Sequence, residues 1–251
     1  MRRSPYSSMA STFGPGPWSP AVRAIILANI AVYLVTLAAP VWVYSIFGLT
    51  PRLVLTEGRV WQVVTYLFVH DARGVSHILF NMLYVWMFGT ELERRWGTQA
   101  FVRYYFITGV GAGLVVLVAS LLPIASAQLS YVVPTIGASG AVYALLLGWA
   151  VVFPHRQILF MMIFPMSAWV FAVIMGAIVF LNVAGTSGGG VSHMAHLGGL
   201  VIGYLYLKGP GGPRDLKLRL QYRLARWRMD RMRRKFNVHQ GGRDDWERRL
   251  H

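Results

Sequence analysis

An all-α polytopic membrane protein with six spanning helices is the fold class this sequence predicts, and three observations predict it. The chain has 251 residues, 55% of them hydrophobic and 13% charged, whereas soluble domains carry roughly 25% charged residues. Its apolar residues gather into runs of spanning length, since about 20 residues at 1.5 Å rise cross the hydrocarbon of a bilayer. Most of its basic residues fall between or after those runs rather than inside them.

The elements follow in order. Residues 1–20 read as a flexible N-terminal segment. No cleaved signal peptide is expected, because Arg2 and Arg3 lead into a Pro/Gly/Ser-rich stretch instead of an immediate apolar core. The membrane domain is expected over 21–208. Its first span runs from Val22 to Ala39 and is stopped by Pro40. Residues 41–75 are too polar to span and too aromatic for a fully solvated loop: Trp42, Trp61, Tyr66 and Phe68 interleave with Arg52, Glu57, Arg59, Asp71 and Arg73, a pattern that suits the headgroup level. The second span is His77 to Leu92 and the third Phe101 to Leu122. Ile124 to Pro134 is read as a connecting loop. The fourth span is Ile136 to Phe153. The fifth is Ile158 to Val183, with a kink at Pro165, and Gly185 to Gly190 is a loop. The sixth is Ser192 to Leu207.

Charge orients these spans. Arg94, Arg95 and Arg103 flank the second-to-third connection, His155 and Arg156 mark the fourth-to-fifth, and the tail is the most basic part. The positive-inside rule then makes both termini cytoplasmic, with the first connection, which carries Arg52, Arg59 and Arg73, as the dissenting segment. In the tail, 209–251, Leu216, Leu220, Leu224 and Trp227 recur at near-helical spacing among Arg and Lys. That reads as a basic amphipathic helix on anionic lipid. The net charge of +15 is concentrated there, beside the last span, so a membrane surface and not nucleic acid is the expected partner. The chain has no Cys, which excludes disulfides and thiolate-ligated metals. No cofactor and no metal are expected. His77, His193 and His196 lack any neighbouring carboxylate and any H-E-x-x-H pattern.

Chemistry is carried by a few polar residues in apolar surroundings. Ser139 lies in Gly137-Ala138-Ser139-Gly140 at the start of the fourth span, and His196 lies in His193-Met194-Ala195-His196-Leu197-Gly198-Gly199. Both fall near the outer ends of their helices. A Ser hydroxyl needs a base to become a nucleophile, and a neutral His is one. No acid falls between Glu93 and Asp215, so a Ser–His pair here has no sequence-local carboxylate. The alternative for Gly140, Ala144 and Gly148 is close helix packing through small residues. Gly199 and Gly203 share a face with His196, and that surface would bring its helix against the fourth span. Tyr143, one turn after Ser139, is placed to stack on the imidazole. His77 and Asn81, one turn apart, are either donors for an oxyanion or an interhelical hydrogen-bond pair.

These residues together resemble the rhomboid family of intramembrane serine proteases. The resemblance covers Val22 to Leu207. It rests on Trp61-Gln62, His77-Ile78-Leu79-Phe80-Asn81-Met82, the Glu93, Trp96 and Gly97 cluster, Gly137-Ala138-Ser139-Gly140, and Ala195-His196-Leu197-Gly198-Gly199 with Gly203. It implies a six-helix rhomboid-like bundle, with Ser139 as nucleophile and His196 as general base. It also implies an oxyanion site from His77, Asn81 and the Ser139 N–H, Gly137 shaping the preceding turn, Tyr143 packing on His196, and Gly199 in support. Transmembrane proteins cut near the outer face are the implied substrates. The fifth span, with Pro165 and the 185–190 loop, is the expected gate. Many members carry Trp-Arg where this chain has Trp61-Gln62. A catalytically silent relative that binds transmembrane segments is the rival function, and a His-lined proton or ion path is the second. The absence of Cys and of eukaryotic-type extensions directs the expectation to a bacterial plasma membrane.

Overall fold

Proline opens three of the first helices. Pro20, Pro40 and Pro51 each stand in the first turn, where the missing N–H costs nothing and the fixed φ suits a helix. A computed structural model describes residues 15–122, 125–160, 164–184, 190–209 and 225–232. Helix α1 is Pro20–Ala38, followed in the first connection by α2 (Pro40–Phe47), α3 (Pro51–Glu57), α4 (Gln62–Thr65) and a 3₁₀ turn at Tyr66–Phe68. Helices α5 (Ser76–Tyr84) and α6 (Thr90–Trp96) are joined by a π-helical turn at Val85–Gly89. Helix α7 is Thr98–Ala119, α8 is Ala125–Val132 and α9 is Ser139–Val152. Strands β1 (Gln157–Phe160) and β2 (Phe164–Ser167) precede α10 (Ala168–Ala184) and α11 (Gly190–Lys208).

Among the described residues, α1 and α7 are long and apolar enough to cross a membrane, while α9 and the apolar part of α10 are shorter. The mostly helical architecture agrees with an all-α membrane protein and departs from expectation in three places. The segment expected as the fifth span becomes helical, as α10, at Ala168 and not at Ile158, because 157–160 and 164–167 pair as an antiparallel hairpin with Leu159 opposite Pro165. Pro165 therefore sits in a strand and kinks no helix. A residue before proline is driven from helical to extended geometry, and a two-stranded hairpin tolerates a proline at its free edge. The segment read as a loop at 124–134 contains α8, built from helix-forming Ala, Gln and Leu. Of the loop expected at 185–190, residues 185–189 lie outside the described residues and Gly190 already opens α11; the tail leucines also lie outside the described residues.

The first connection is a built layer. Its α2 ends with carbonyls that no later turn of helix can satisfy, and side chains from α4 and its approach supply the donors. Arg59 and the Gln62 amide donate to the Ser45 carbonyl, Gln62 and the Trp61 indole to Ile46, and the Thr65 hydroxyl to Phe47. The Gln62 oxygen also accepts the Thr50 N–H at 3.0 Å ahead of α3. Gln62, which the sequence carries in place of the Arg of the Trp-Arg pattern noted above, is fully buried and is the hub of this layer.

At the opposite end of the helices, Glu93 ties α1 to α6 and α7. Its buried carboxylate accepts the N–H groups of Ala21 and Val22, at 3.0 Å each, and the hydroxyls of Ser19 and Thr98. A carboxylate at a helix N-terminus satisfies orphan donors and meets the positive end of the dipole. Helix α11 packs on both α7 and α9. The chain separates into two units, Met1–Gly211 and Gly212–His251. In the second, residues 225–232 form an exposed helical turn in which Arg231 lies over the Trp227 ring, 5.5 Å from its centroid.

Burial alone would raise the Glu93 carboxyl, but the donors from Ser19, Ala21, Thr98 and Val22 outweigh it and hold the group below the usual carboxylate range. A depressed value contributes stability above the unfolded value, about 4.3, and that stability is lost as pH falls through the folded value. Glu93→Ala should lower unfolding stability by about 3 kcal/mol at pH 7, read as a fall in thermal midpoint in detergent. The wild type's advantage over Glu93→Gln should fade below about pH 4.

Candidate active site

Helix α9 starts where the first connection holds it. Leu49 and Thr135 exchange backbone hydrogen bonds of 2.9 and 2.8 Å, and the Gly137 N–H donates to the Tyr66 carbonyl at 3.0 Å. Tyr66 is itself buried and donates its hydroxyl to the Gly109 carbonyl of α7. Gly137 then turns the chain at φ +111°, a conformation that favours glycine. A Cβ there would also stand 2.8 Å from His77 Nε2. Ser139 follows as the first residue of α9, so its N–H lacks an intrahelical acceptor.

His196 reaches Ser139 because α9 and α11 touch through their backbones. A Cβ on Gly199 would fall 1.9 Å from the Gly140 carbonyl oxygen, and one on Gly203 would lie 3.1 Å from the Ala144 Cβ. At this approach His196 Nε2 lies 2.7 Å from Ser139 Oγ. The Tyr143 ring stacks on the imidazole at 4.4 Å between centroids and 25° between planes. His196 Nδ1 is buried with no hydrogen-bond partner among the described residues. Among the described residues, the aromatic face and helix packing orient this ring, and no carboxylate does.

Opposite the pair stand His77 and Asn81. The Asn81 amide donates to the His77 carbonyl at 2.8 Å. The Asp71 N–H donates to His77 Nδ1 at 3.2 Å. An Nδ1 that accepts leaves the proton on Nε2 in the neutral ring, on the side facing Gly137. A cavity of about 390 Å³ lies among these groups, lined by Ser76, His77, Phe80, Asn81 and Tyr84 of α5, Ser139, Val142 and Tyr143 of α9, and His196 of α11. Polar ends converge on an otherwise apolar pocket, as in small-molecule and peptide sites. Of the residues singled out in the sequence, Ser139, His196, His77, Asn81 and Tyr143 all line this one space, while Gly137 and Gly199 shape it from behind.

Three groups beside the site were not read from the sequence. His70 is fully buried, its ring 5.0 Å from that of His77. Burial, then the neighbouring His77, pushes it down to about 3, so it is neutral. Asp71, whose N–H reaches His77, is paired through its side chain with Arg73 at 2.7 Å. That hydrogen-bonded guanidinium holds its carboxyl below the usual range. The Tyr44 hydroxyl accepts the Ala72 N–H at 2.7 Å. A second histidine seven residues before His77, in a stretch mixing charge and aromatic rings, was the available signal for His70. Nothing in the spacing pointed to Tyr44. Among the described residues, no group of three His, Cys, Asp or Glu side chains is arranged to hold a metal ion.

A helix-packed Ser–His pair facing a His–Asn pair across one cavity describes a class of membrane protein, and comparison with known proteins gives the family. The rhomboid domain model matches residues 57–209, more than half of the chain, and the chain belongs to the rhomboid family, a family of membrane proteins. It is 33% identical over 132 residues to "Rhomboid protein 1, mitochondrial" of Saccharomyces cerevisiae, covering 52% of this chain and 36% of that protein. It is 25% identical over 169 residues to "Rhomboid protease GluP" of Bacillus subtilis, covering 67% of this chain and 29% of that protein. It is 26% identical over 195 residues to "Rhomboid-like protein 16, chloroplastic" of Arabidopsis thaliana, covering 72% of this chain and 59% of that protein. The chain thus spans between 29% and 59% of the length of these relatives. They come from bacterial, mitochondrial and chloroplast settings.

The α9–α11 contact predicts the first consequence of a methyl group. Gly199→Ala must push the helices apart at the Gly140 carbonyl, costing about 2–3 kcal/mol or more. It should lower the thermal midpoint well beyond the effect of alanine at Gly176, where the nearest atom to a new Cβ would be 3.8 Å away.

Proposed function

We propose that this chain is an intramembrane serine endopeptidase that cleaves membrane-anchored proteins near the outer face of the bilayer. The observation that carries the proposal is the 2.7 Å separation of His196 Nε2 and Ser139 Oγ in a cavity with His77 and Asn81 opposite. Family membership and relatives named as proteases support it. The six-span bundle with both termini cytoplasmic is part of the same reading, resting on loop charges. It places Ser139 and His196 in the outer half, where water reaches a polar cavity lined by protein.

The steps follow from the geometry. Ser139 gives its proton to His196 Nε2 as its oxygen attacks the scissile carbonyl carbon. The carbonyl oxygen takes the negative charge and accepts hydrogen bonds from the Ser139 N–H, His77 Nε2–H and the Asn81 amide. Fixed donors of this kind contribute about 3–4 kcal/mol each where charge develops. The C–N bond then breaks as His196 returns the proton to the leaving amine, leaving an acyl ester on Ser139. Water enters, gives a proton to His196, attacks the ester, and releases the acid as the proton returns to Ser139. A transmembrane helix must unwind to expose a peptide bond, so substrates carrying Gly or Pro near the outer boundary are favoured. A silent relative that only binds transmembrane segments has no use for a Ser–His hydrogen bond held by two helices in backbone contact. The tail beyond 209 is proposed to rest on anionic lipid.

A fluorophosphonate probe should label the purified protein in detergent. Ser139→Ala should abolish labelling, and His196→Ala should reduce it by at least about 10³-fold, because both residues act as one unit. Equal labelling of the wild type and Ser139→Ala would contradict the assignment of the nucleophile.

A further inference from the structure

The proposed oxyanion donor His77 has the right proton only in one tautomer. A neutral imidazole carries its hydrogen on either nitrogen, and the partner of one nitrogen decides the state of the other. Here that partner is a backbone amide, the Asp71 N–H, at 3.2 Å from Nδ1. An N–H can only donate, so the lone pair of Nδ1 is fixed and the proton stays on Nε2. Nε2 is the atom 2.8 Å from the position of a Cβ on Gly137, two residues before Ser139. What holds the Asp71 amide in place therefore governs whether the cavity offers a donor.

The turn at 70–73 is held from two sides. On the inside the Tyr44 hydroxyl of α2 accepts the Ala72 N–H at 2.7 Å and donates to the His70 carbonyl at 3.5 Å. One oxygen thus holds the backbone just after Asp71 firmly, with a long and weak contact to the carbonyl just before it. On the outside the Asp71 carboxylate accepts its own turn's Arg73 N–H at 3.0 Å and the Arg73 guanidinium at 2.7 and 3.0 Å. Exposed ion pairs are worth little alone, so the half-buried Tyr44 contact is the stronger clamp. The buried ring of His70 lies 5.0 Å from the His77 ring.

We propose that Tyr44 is a positioning residue for the oxyanion site: its hydroxyl fixes the 70–72 turn so that the Asp71 amide locks His77 in the Nε2-protonated tautomer. The inference rests on the peptidase reading for its kinetic consequence, and its structural content stands without it. Tyr44 touches no substrate; it acts through the turn and His77.

The test uses the full chain labelled with ¹⁵N-histidine in detergent, comparing wild type with Tyr44→Phe. In the wild type the His77 ring, assigned by its loss in His77→Ala, should show an unprotonated Nδ1 and a protonated Nε2. In Tyr44→Phe the two nitrogen shifts should move toward each other as the other tautomer becomes populated. Turnover of a membrane-anchored substrate should then fall about ten-fold in kcat with KM nearly unchanged, a fraction of the 10²–10³-fold lost when an oxyanion donor is removed outright. His77 shifts unchanged in a folded Tyr44→Phe protein overturn the proposal, whatever the rate does. If Tyr44→Phe does not fold, Tyr44→Leu removes the same hydroxyl. It should move the same shifts in the same direction, and their constancy in a folded Tyr44→Leu protein overturns the proposal. A wild type with no peptidase activity removes the functional reading and leaves the tautomer result to be read by itself.

Discussion

There is no room for a methyl group between α9 and α11. At Gly199 a Cβ would penetrate the Gly140 carbonyl oxygen, and at Gly140 it would come within 2.7 Å of the Ala112 Cβ of α7. Three helices therefore meet on small residues at the depth of Ser139. Lipid tails are as apolar as leucine, so membrane helices gain little from burying leucine against leucine and associate where their backbones fit closely. That contact sets the distance from Ser139 to His196. Without it, a serine and a histidine on separate helices have no reason to meet, and among the described residues no carboxylate contacts His196 to correct a poor fit.

The remaining structure keeps this contact in register at both ends of the helices. At one end Glu93 fastens the N-terminus of α1 to α6 and α7. Nearby, Glu91 accepts the Trp149 indole hydrogen at 2.7 Å and pairs with Arg156 at 2.9 Å, joining α6, the end of α9 and the approach to the hairpin. At the other end the first connection, held through Gln62, pins the segment before α9 by the Leu49–Thr135 bridge and the Gly137–Tyr66 hydrogen bond. Between them, Tyr104 of α7 donates to the Ala144 carbonyl of α9 at 2.6 Å. Polar side chains thus satisfy backbone groups where helices begin and end, the places where unmet donors and acceptors cost most in an apolar setting.

Much of the site was legible because ionisable and small residues stand out in an apolar chain. Ser139 and His196 were visible as polar groups in helices that had no need of them, and the Gly199/Gly203 spacing pointed to the face that packs on Gly140 and Ala144. The i, i+4 spacing of His77 and Asn81 put both on one face of α5. Other features were hidden for physical reasons. A long apolar run from Ile158 fits a spanning helix and a hairpin equally well by hydropathy. Pro165 decided between them, but by marking extended backbone and not a kink. Helix α8 was concealed because it is too short to carry a periodic apolar face. The Asp71 amide and Tyr44 were out of reach, since the groups that matter there are backbone amides and a carbonyl brought together by tertiary contacts, and such groups are the same in every residue.

The central claim is that a Ser–His pair with no carboxylate hydrolyses a peptide bond in the outer half of the membrane. Its most direct test is reconstitution of the full chain in liposomes with a single-span substrate that has Gly and Pro near its outer end, with the cut located by mass spectrometry. The account predicts one principal cut in the outer half of the substrate helix, requiring Ser139. Cleavage that persists in Ser139→Ala, or a cut in the inner half, would contradict it.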